Sequence, residues 1–196
     1  MATISERLRT ETVTHHESIE NAKRLSRLGA PDFTLAEYQE LLEHFYGFYK
    51  PLEAHFQAFP DVMSALDFEG RFKLPLLIQD LKHFGHTDDT LSQLPQCSDF
   101  PPMESLPQVL GCIYVMEGST HGTQFITKRL REHFNLTDGG LRYYEGYGKD
   151  TMPRWKTFKT YLDTTLEAGP EPEQAKAQTI QTAGLTFDAL HRWMDN

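Results

Sequence analysis

The chain has 196 residues, 39% of them hydrophobic, enough to bury one sizeable core without demanding a second, so residues 1–196 read as a single domain. A net charge of −9 argues against non-specific binding to nucleic acid or to an anionic membrane, and any anionic ligand must be met by a local basic patch. The two cysteines, Cys97 and Cys112, form neither a disulfide framework nor a metal-binding spacing. No apolar run reaches the roughly 20 residues that span a bilayer, and the start, MATISERLRTE, is too charged for a secretory leader, so a soluble protein of the reducing cytoplasm is expected.

Helical periodicity runs through almost the whole chain, and no strand pattern interrupts it. The first helix is expected from about Ser5 to Leu28, ended by Gly29-Ala30-Pro31. Within it, at about 100° per residue, Leu8, Thr12, His16 and Glu20 share one stripe, while His15 points about 100° away, toward solvent. A carboxylate one turn after an imidazole can orient the ring through its second nitrogen, as in ligating histidines. An isolated histidine of this kind is ordinarily packed or solvated.

A second helix opens at the capping box Thr34-Leu35-Ala36-Glu37, with an apolar face of Leu35, Tyr38, Leu41, Leu42, Phe45, Phe48 and Tyr49. Pro51 marks a kink or a new helix, and Leu52, Phe56 and Phe59 continue the face to Pro60. Its aromatic rings read as core. Arg71 to Phe84 gives a shorter helix; Thr87 to Pro107 is a polar connection with one turn near Thr90 to Leu94.

Gly111 to Leu130, GCIYVMEGSTHGTQFITKRL, then carries a helical pattern with Gly118 and Gly122 one turn apart. Each glycine inside a helix costs up to about 1 kcal/mol relative to alanine. The pair therefore implies close approach of the backbone to something bulky or flat, either another helix or a planar ligand. Asn135 to Gly140 breaks the chain, and Tyr143 to Gly148 is an irregular aromatic loop. Helices from Pro153 to Glu167 and from Gln174 to Asp195 flank the linker GPEPE. The expected fold is all-α, a helical bundle with connections long enough for crossovers.

At LRTETVTHHESIE (Leu8 to Glu20) and YVMEGSTHG (Tyr114 to Gly122) the sequence resembles the heme oxygenases, most closely the bacterial branch associated with bacteriophytochromes. The resemblance continues through FYGFYKPLE (Phe45 to Glu53), RFKLPLLIQDLKHFG (Arg71 to Gly85), YYEGYG with Trp155 and Phe158, and TFDALHRWM (Thr186 to Met194). It implies a single-domain heme-oxygenase-like bundle in which His16 is the proximal ligand to heme iron and Glu20 holds it in register. The opposite face is covered by backbone near Gly118 and Gly122, with Ser119 anchoring a water chain where eukaryotic members use an aspartate. Tyr114 lines the pocket, and Arg9 and Lys156 meet the heme propionates, helped by Lys159; Thr160 stands where mammalian members carry a second arginine.

The implied reaction opens heme, both substrate and prosthetic group, to biliverdin, carbon monoxide and ferrous iron, using dioxygen and electrons from an external ferredoxin or reductase. Two departures stand out. Family members commonly read STLGGQ where this chain reads STHGTQ. His121 either faces away from heme or approaches its distal face. A heme-holding protein that does not degrade heme, a thiaminase-II-like enzyme using Cys112, and a di-metal carboxylate protein with Glu40, Glu43 and His44 remain as alternatives.

Overall fold

The computed structural model describes residues 2–196, and every regular element among them is helical. The expected first helix is three: α1 (Ile4–Glu11), α2 (Val13–Glu20) and α3 (Lys23–Arg27). The break falls at Thr12, whose φ and ψ of −107° and 8° leave the helical region while its hydroxyl donates to the Leu8 carbonyl at 2.7 Å. A threonine that satisfies its own backbone in this way competes with helix continuation. Periodicity alone does not register such a break, because Leu8 and His16 keep nearly the same heading on either side of it.

The next helix, α4 (Leu35–Phe56), opens on its capping box: Glu37 N donates to Thr34 Oγ1 at 3.2 Å, and Thr34 N donates to Glu37 at 2.7 Å. It runs straight through Pro51. The carbonyl of Gly47, left without a donor because Pro51 has no N–H, accepts instead from Cys97 N at 3.0 Å. Gly47 is glycine for the same contact, since a Cβ there would lie 2.3 Å from the Pro95 carbonyl oxygen and 2.9 Å from Trp193. Proline and glycine one turn apart thus dock the 95–97 loop on the helix.

Two short helices, α5 (Pro60–Ala65) and α6 (Leu74–His83), follow, then α7 (Asp88–Ser92) in the polar connection. The glycine segment is divided into α8 (Leu106–Gly118) and α9 (Thr123–Phe134), joined by a turn in which Gly122 adopts φ +76°. The α8 start lies five residues before Gly111, where Gln108 accepts from Ser105 N at 3.0 Å. A single turn, α10 (Arg142–Glu145), sits in the aromatic loop; α11 (Thr151–Glu167) and α12 (Pro172–Asp195) complete the bundle.

Helix α12 packs along both α8 and α2. Against α8 the approach is close at Gly111, where a Cβ would meet Thr179 O at 2.5 Å and Ala183 N at 2.9 Å. This is the helix-on-helix glycine contact, and it falls on a glycine that the paired motif does not include. Against α2 and α3 runs a polar ladder: His15 Nδ1 to Asp188 at 2.7 Å, Ser18 Oγ to His191 Nδ1 at 2.7 Å, and Lys23 N donating to Asp195 at 2.7 Å. His15 therefore does not simply face solvent; its ring lies over Gly184 and ties the helix carrying His16 to α12.

Buried carboxylates cap two of the short helices. Glu53 accepts from Lys73 N at 2.5 Å and Leu74 N at 3.3 Å, and Asp80 accepts from Arg142 N and Tyr143 N, each at 2.8 Å. Burial outweighs these bonds and pushes Glu53 up to about 7 and Asp80 up to about 6. A carboxyl with a raised native pKa contributes stability that is fully present below its unfolded value, 4.5 for Glu53, and is lost as pH rises through about 7. Glu53→Gln keeps an acceptor and removes the charge. The melting temperature of the variant minus that of the wild type is expected to become more positive between pH 5 and pH 8, as read by thermal unfolding at stepped pH.

Candidate functional site: a cavity between the first helices and the broken glycine helix

A cavity of about 950 Å³ opens between α1–α2 on one side and the α8–α9 turn on the other, with α11 at its mouth. Its size falls at the upper end of the ~300–1,000 Å³ typical of ligand pockets. His16 lines the α2 wall, 57% exposed, its ring edge-on to Phe187 at 5.6 Å between centroids. The Glu20 carboxylate lies 3.6 Å from His16 Nδ1, near enough for charge interaction and too far for a hydrogen bond.

The opposite wall is built from backbone and hydroxyls. Gly118 lines it, and a Cβ there would meet nothing within 4 Å. The space beside this glycine is the cavity itself, so no second helix packs against it. Gly122 is not a lining residue; its positive φ serves the turn. The hydroxyls of Ser119, Thr120 and Thr123 donate to the carbonyls of Met116 (2.7 Å), Glu117 (2.7 Å) and Thr120 (3.0 Å). These bonds cap the last turn of α8 and the turn that follows it. Thr123, a departure from the family pattern, thus supports the turn from beneath.

At the back lie Tyr49, expected in the core, and Tyr143, expected in an irregular aromatic loop. The Tyr49 hydroxyl is 3.4 Å from Ser119 Oγ and 3.5 Å from the Tyr143 hydroxyl. Burial raises the Tyr49 and Tyr143 phenols above their ordinary value, so both remain proton carriers. A buried tyrosine hydroxyl requires a partner, and that was the available signal: phenylalanine would have served at Tyr49 had packing been its whole role.

The mouth is basic. Arg9, Lys156 and Lys159 line it, and among the described residues none of the three pairs with a carboxylate, unlike Arg7, which binds Glu11 and Glu173. Tyr114 lies between them and the interior, its ring 5.6 Å from that of Trp155. Thr160, at the position of the missing arginine, also lines the cavity. His121 packs against Trp155 at 4.8 Å between centroids, with Nδ1 3.2 Å from the Gly118 carbonyl.

The His121 Nε2 and Tyr144 hydroxyl are buried without a partner, and both residues line this cavity. Such orphans mark a site completed by something bound or by ordered water. The wall arrangement fits heme: an available imidazole on one side, bare backbone on the other, and unpaired cations at the edge for two carboxylates. Cys112 lies elsewhere, 3.2 Å from the Thr186 hydroxyl in the core, with burial pushing its thiol up to about 12, which removes it as a nucleophile.

The all-α bundle thus encloses a wide cavity with His16 on one wall, the bare backbone of Gly118 on the other and Arg9, Lys156 and Lys159 at its edge, the features of a ligand-binding helical protein. The chain belongs to the heme oxygenase family, whose pattern matches residues 2–196. It is 29% identical over 121 residues to the heme oxygenase of Xanthomonas campestris pv. campestris, an alignment covering 62% of this chain and 66% of that protein, just under two thirds of its length. The fold is similar to that of the heme oxygenase of Leptospira interrogans (TM-score 0.78, 19% identity, 99% of both chains). It is also similar to heme oxygenase-1 of Synechocystis sp. PCC 6803, solved in complex with heme (TM-score 0.76, 18% identity, 99% of this chain and 91% of that one). The NO- and CO-bound heme oxygenase of Neisseria meningitidis superposes with a TM-score of 0.77 at 22% identity, over 99% and 93% of the two chains.

Proposed function

We propose that this protein is a heme oxygenase that opens the heme macrocycle with dioxygen and externally supplied electrons, releasing biliverdin, carbon monoxide and ferrous iron. The observation that carries the reading is the placement of His16 across one cavity from the Gly118–Ser119 turn, in a chain of this family. Heme, when bound, supplies the iron, the site of dioxygen chemistry and the bond that is cut. Relatives of this fold hold heme, NO and CO in their solved structures.

In this reading His16 ligates the iron through its free nitrogen, and Glu20 biases the ring through the other. Gly118 lets the second wall lie flat and leaves the far side of the ligand open. Arg9 and Lys156, with Lys159, receive the propionates at the mouth as charge-assisted hydrogen bonds. Tyr114 closes the space behind them. Gly122 acts through the turn it permits.

Ser119, Tyr49 and Tyr143 line up three hydroxyls 3.4 and 3.5 Å apart, a spacing that ordered water can complete into a proton path toward the ligand without a carboxylate. Tyr49→Phe removes the middle hydroxyl and keeps the ring. It is expected to slow turnover about tenfold or more with hemin affinity changed less than about twofold, measured by single-turnover kinetics beside hemin titration. Electrons come from a ferredoxin or reductase, and the reducing cytoplasm is the compartment that suits both partners.

The orphan imidazole of His121 on the distal side favours one second reading, a protein that holds heme without degrading it. Titration with hemin followed by an electron source in air, with catalase present, separates the two. Loss of the Soret band with growth of biliverdin absorbance establishes the oxygenase. A stable low-spin complex that never turns over selects the heme-holding protein, and absence of hemin binding overturns both.

A further inference from the structure

Glu117, the residue immediately before Gly118, is 1% exposed, and it does not line the cavity. It sits in the last turn of α8, where the helix dipole disfavours an anion, so its partners must hold it there. Arg71 Nη1 donates to one carboxylate oxygen. The other accepts from the Tyr147 hydroxyl at 2.5 Å and lies 3.4 Å from Lys73 Nζ. Arg71 also donates to the carbonyls of Leu66 at 2.7 Å and Arg154 at 3.3 Å, and Lys73 donates to the Tyr147 hydroxyl. The Tyr147 ring in turn lies 4.1 Å from the Lys73 ammonium and 4.8 Å from the Arg154 guanidinium.

A buried charge cluster of this kind is poor evidence of added stability, because apolar residues of similar volume commonly serve as well. Its placement is the informative part. On one side Glu117 leads directly into Gly118 and Ser119 of the distal turn. On the other, Tyr147 and Arg154 belong to the segment that runs straight into Trp155, Lys156 and Lys159 at the mouth. One carboxylate thus ties the distal turn to the segment that carries the mouth, through side chains that do not line the cavity.

We propose that Glu117 is a positioning residue that sets the distance and orientation of the α8–α9 turn relative to the start of α11. Its significance for turnover rests on the function proposed above; the clamp itself acts in the empty protein and is tested there. Glu117→Gln keeps the shape and removes the charge. Lys73→Met, the milder variant, leaves the Arg71 pair in place. Val62→Ala in α5, outside the cluster, serves as a control for general destabilisation.

Amide hydrogen exchange on the isotope-labelled protein without hemin reads the clamp directly. Exchange at Ser119 to Thr123 and at Trp155 to Lys159 is expected to accelerate tenfold or more in Glu117→Gln and threefold or more in Lys73→Met, beyond the control matched for loss of melting temperature. A second readout is the ratio of affinities for hemin and for hemin dimethyl ester, which is expected to fall threefold or more in both variants as Lys156 loses its placement. Exchange that rises no more than in the control, or an unchanged ratio, overturns the proposal; should Glu117→Gln not fold, Lys73→Met decides on the same criteria. Wild-type protein that binds hemin but never degrades it would overturn the oxygenase reading and leave the exchange result standing.

Discussion

His16→Ala is expected to lose heme turnover by more than about 100-fold, because removing a residue that only orients a metal ligand already costs about 10–100-fold. The side chain is more than half exposed, lies in the cavity wall and has no strong hydrogen bond of its own. Its loss therefore leaves the fold intact, and melting temperature should hold within the small range of a surface substitution. Hemin should still enter, held by Arg9, Lys156 and the apolar walls, with a Soret band changed from that of the wild type. Added imidazole should restore part of the wild-type spectrum by occupying the vacated space. A variant that degrades hemin at the wild-type rate would remove His16 as the ligand and leave His121 as the imidazole to examine.

Gly111→Ala should produce the largest loss of stability. The added methyl would lie 2.5 Å from the Thr179 carbonyl oxygen and 2.9 Å from the Ala183 nitrogen, both backbone atoms of α12 that cannot swing aside. Overpacking of this kind costs about 3 kcal/mol or more, which in a chain of this size lowers the melting temperature by roughly 6–12 °C. The intrinsic helix preference for alanine, up to about 1 kcal/mol in the opposite direction, does not offset the clash. The comparison with Gly118→Ala is instructive, since there a methyl meets nothing within 4 Å and stability should rise or hold while heme binding weakens. Thermal unfolding of the pair, read beside hemin titration, tests both statements; equal stability loss at the two positions would contradict them.

Much of this was legible along the chain because it depends on near neighbours. The capping box at Thr34 and Glu37, the stop at Gly29 to Pro31 and the helical faces are local. The stripe from Leu8 through His16 to Glu20 survived as geometry even though the helix breaks at Thr12. The family pattern at Tyr114 to Gly122 implied a wall of Gly118, Ser119 and Gly122, of which the first two line the cavity and Gly122 does not. The paired glycines did not form an unbroken helix, because the hydroxyls of Ser119 and Thr120 offered the carbonyls of α8 a local alternative, and Gly122 accepted a positive φ that few other residues tolerate.

The sequence by itself determined the helical class and the family, since periodicity, caps and motif spacing are properties of adjacent positions. Tertiary structure alone decided that Tyr49, on α4, meets Ser119, on the α8–α9 turn, and that His15 is tied to α12 rather than to solvent. It also decided that Gly111 carries the close helix contact while Gly118 faces open space, and that Glu117 joins Arg71 and Lys73 to Tyr147, just ahead of α11. Each of the contacts among these joins residues at least 30 positions apart, brought together by the packing of apolar faces, which is non-directional and leaves no local mark at the polar contacts it creates.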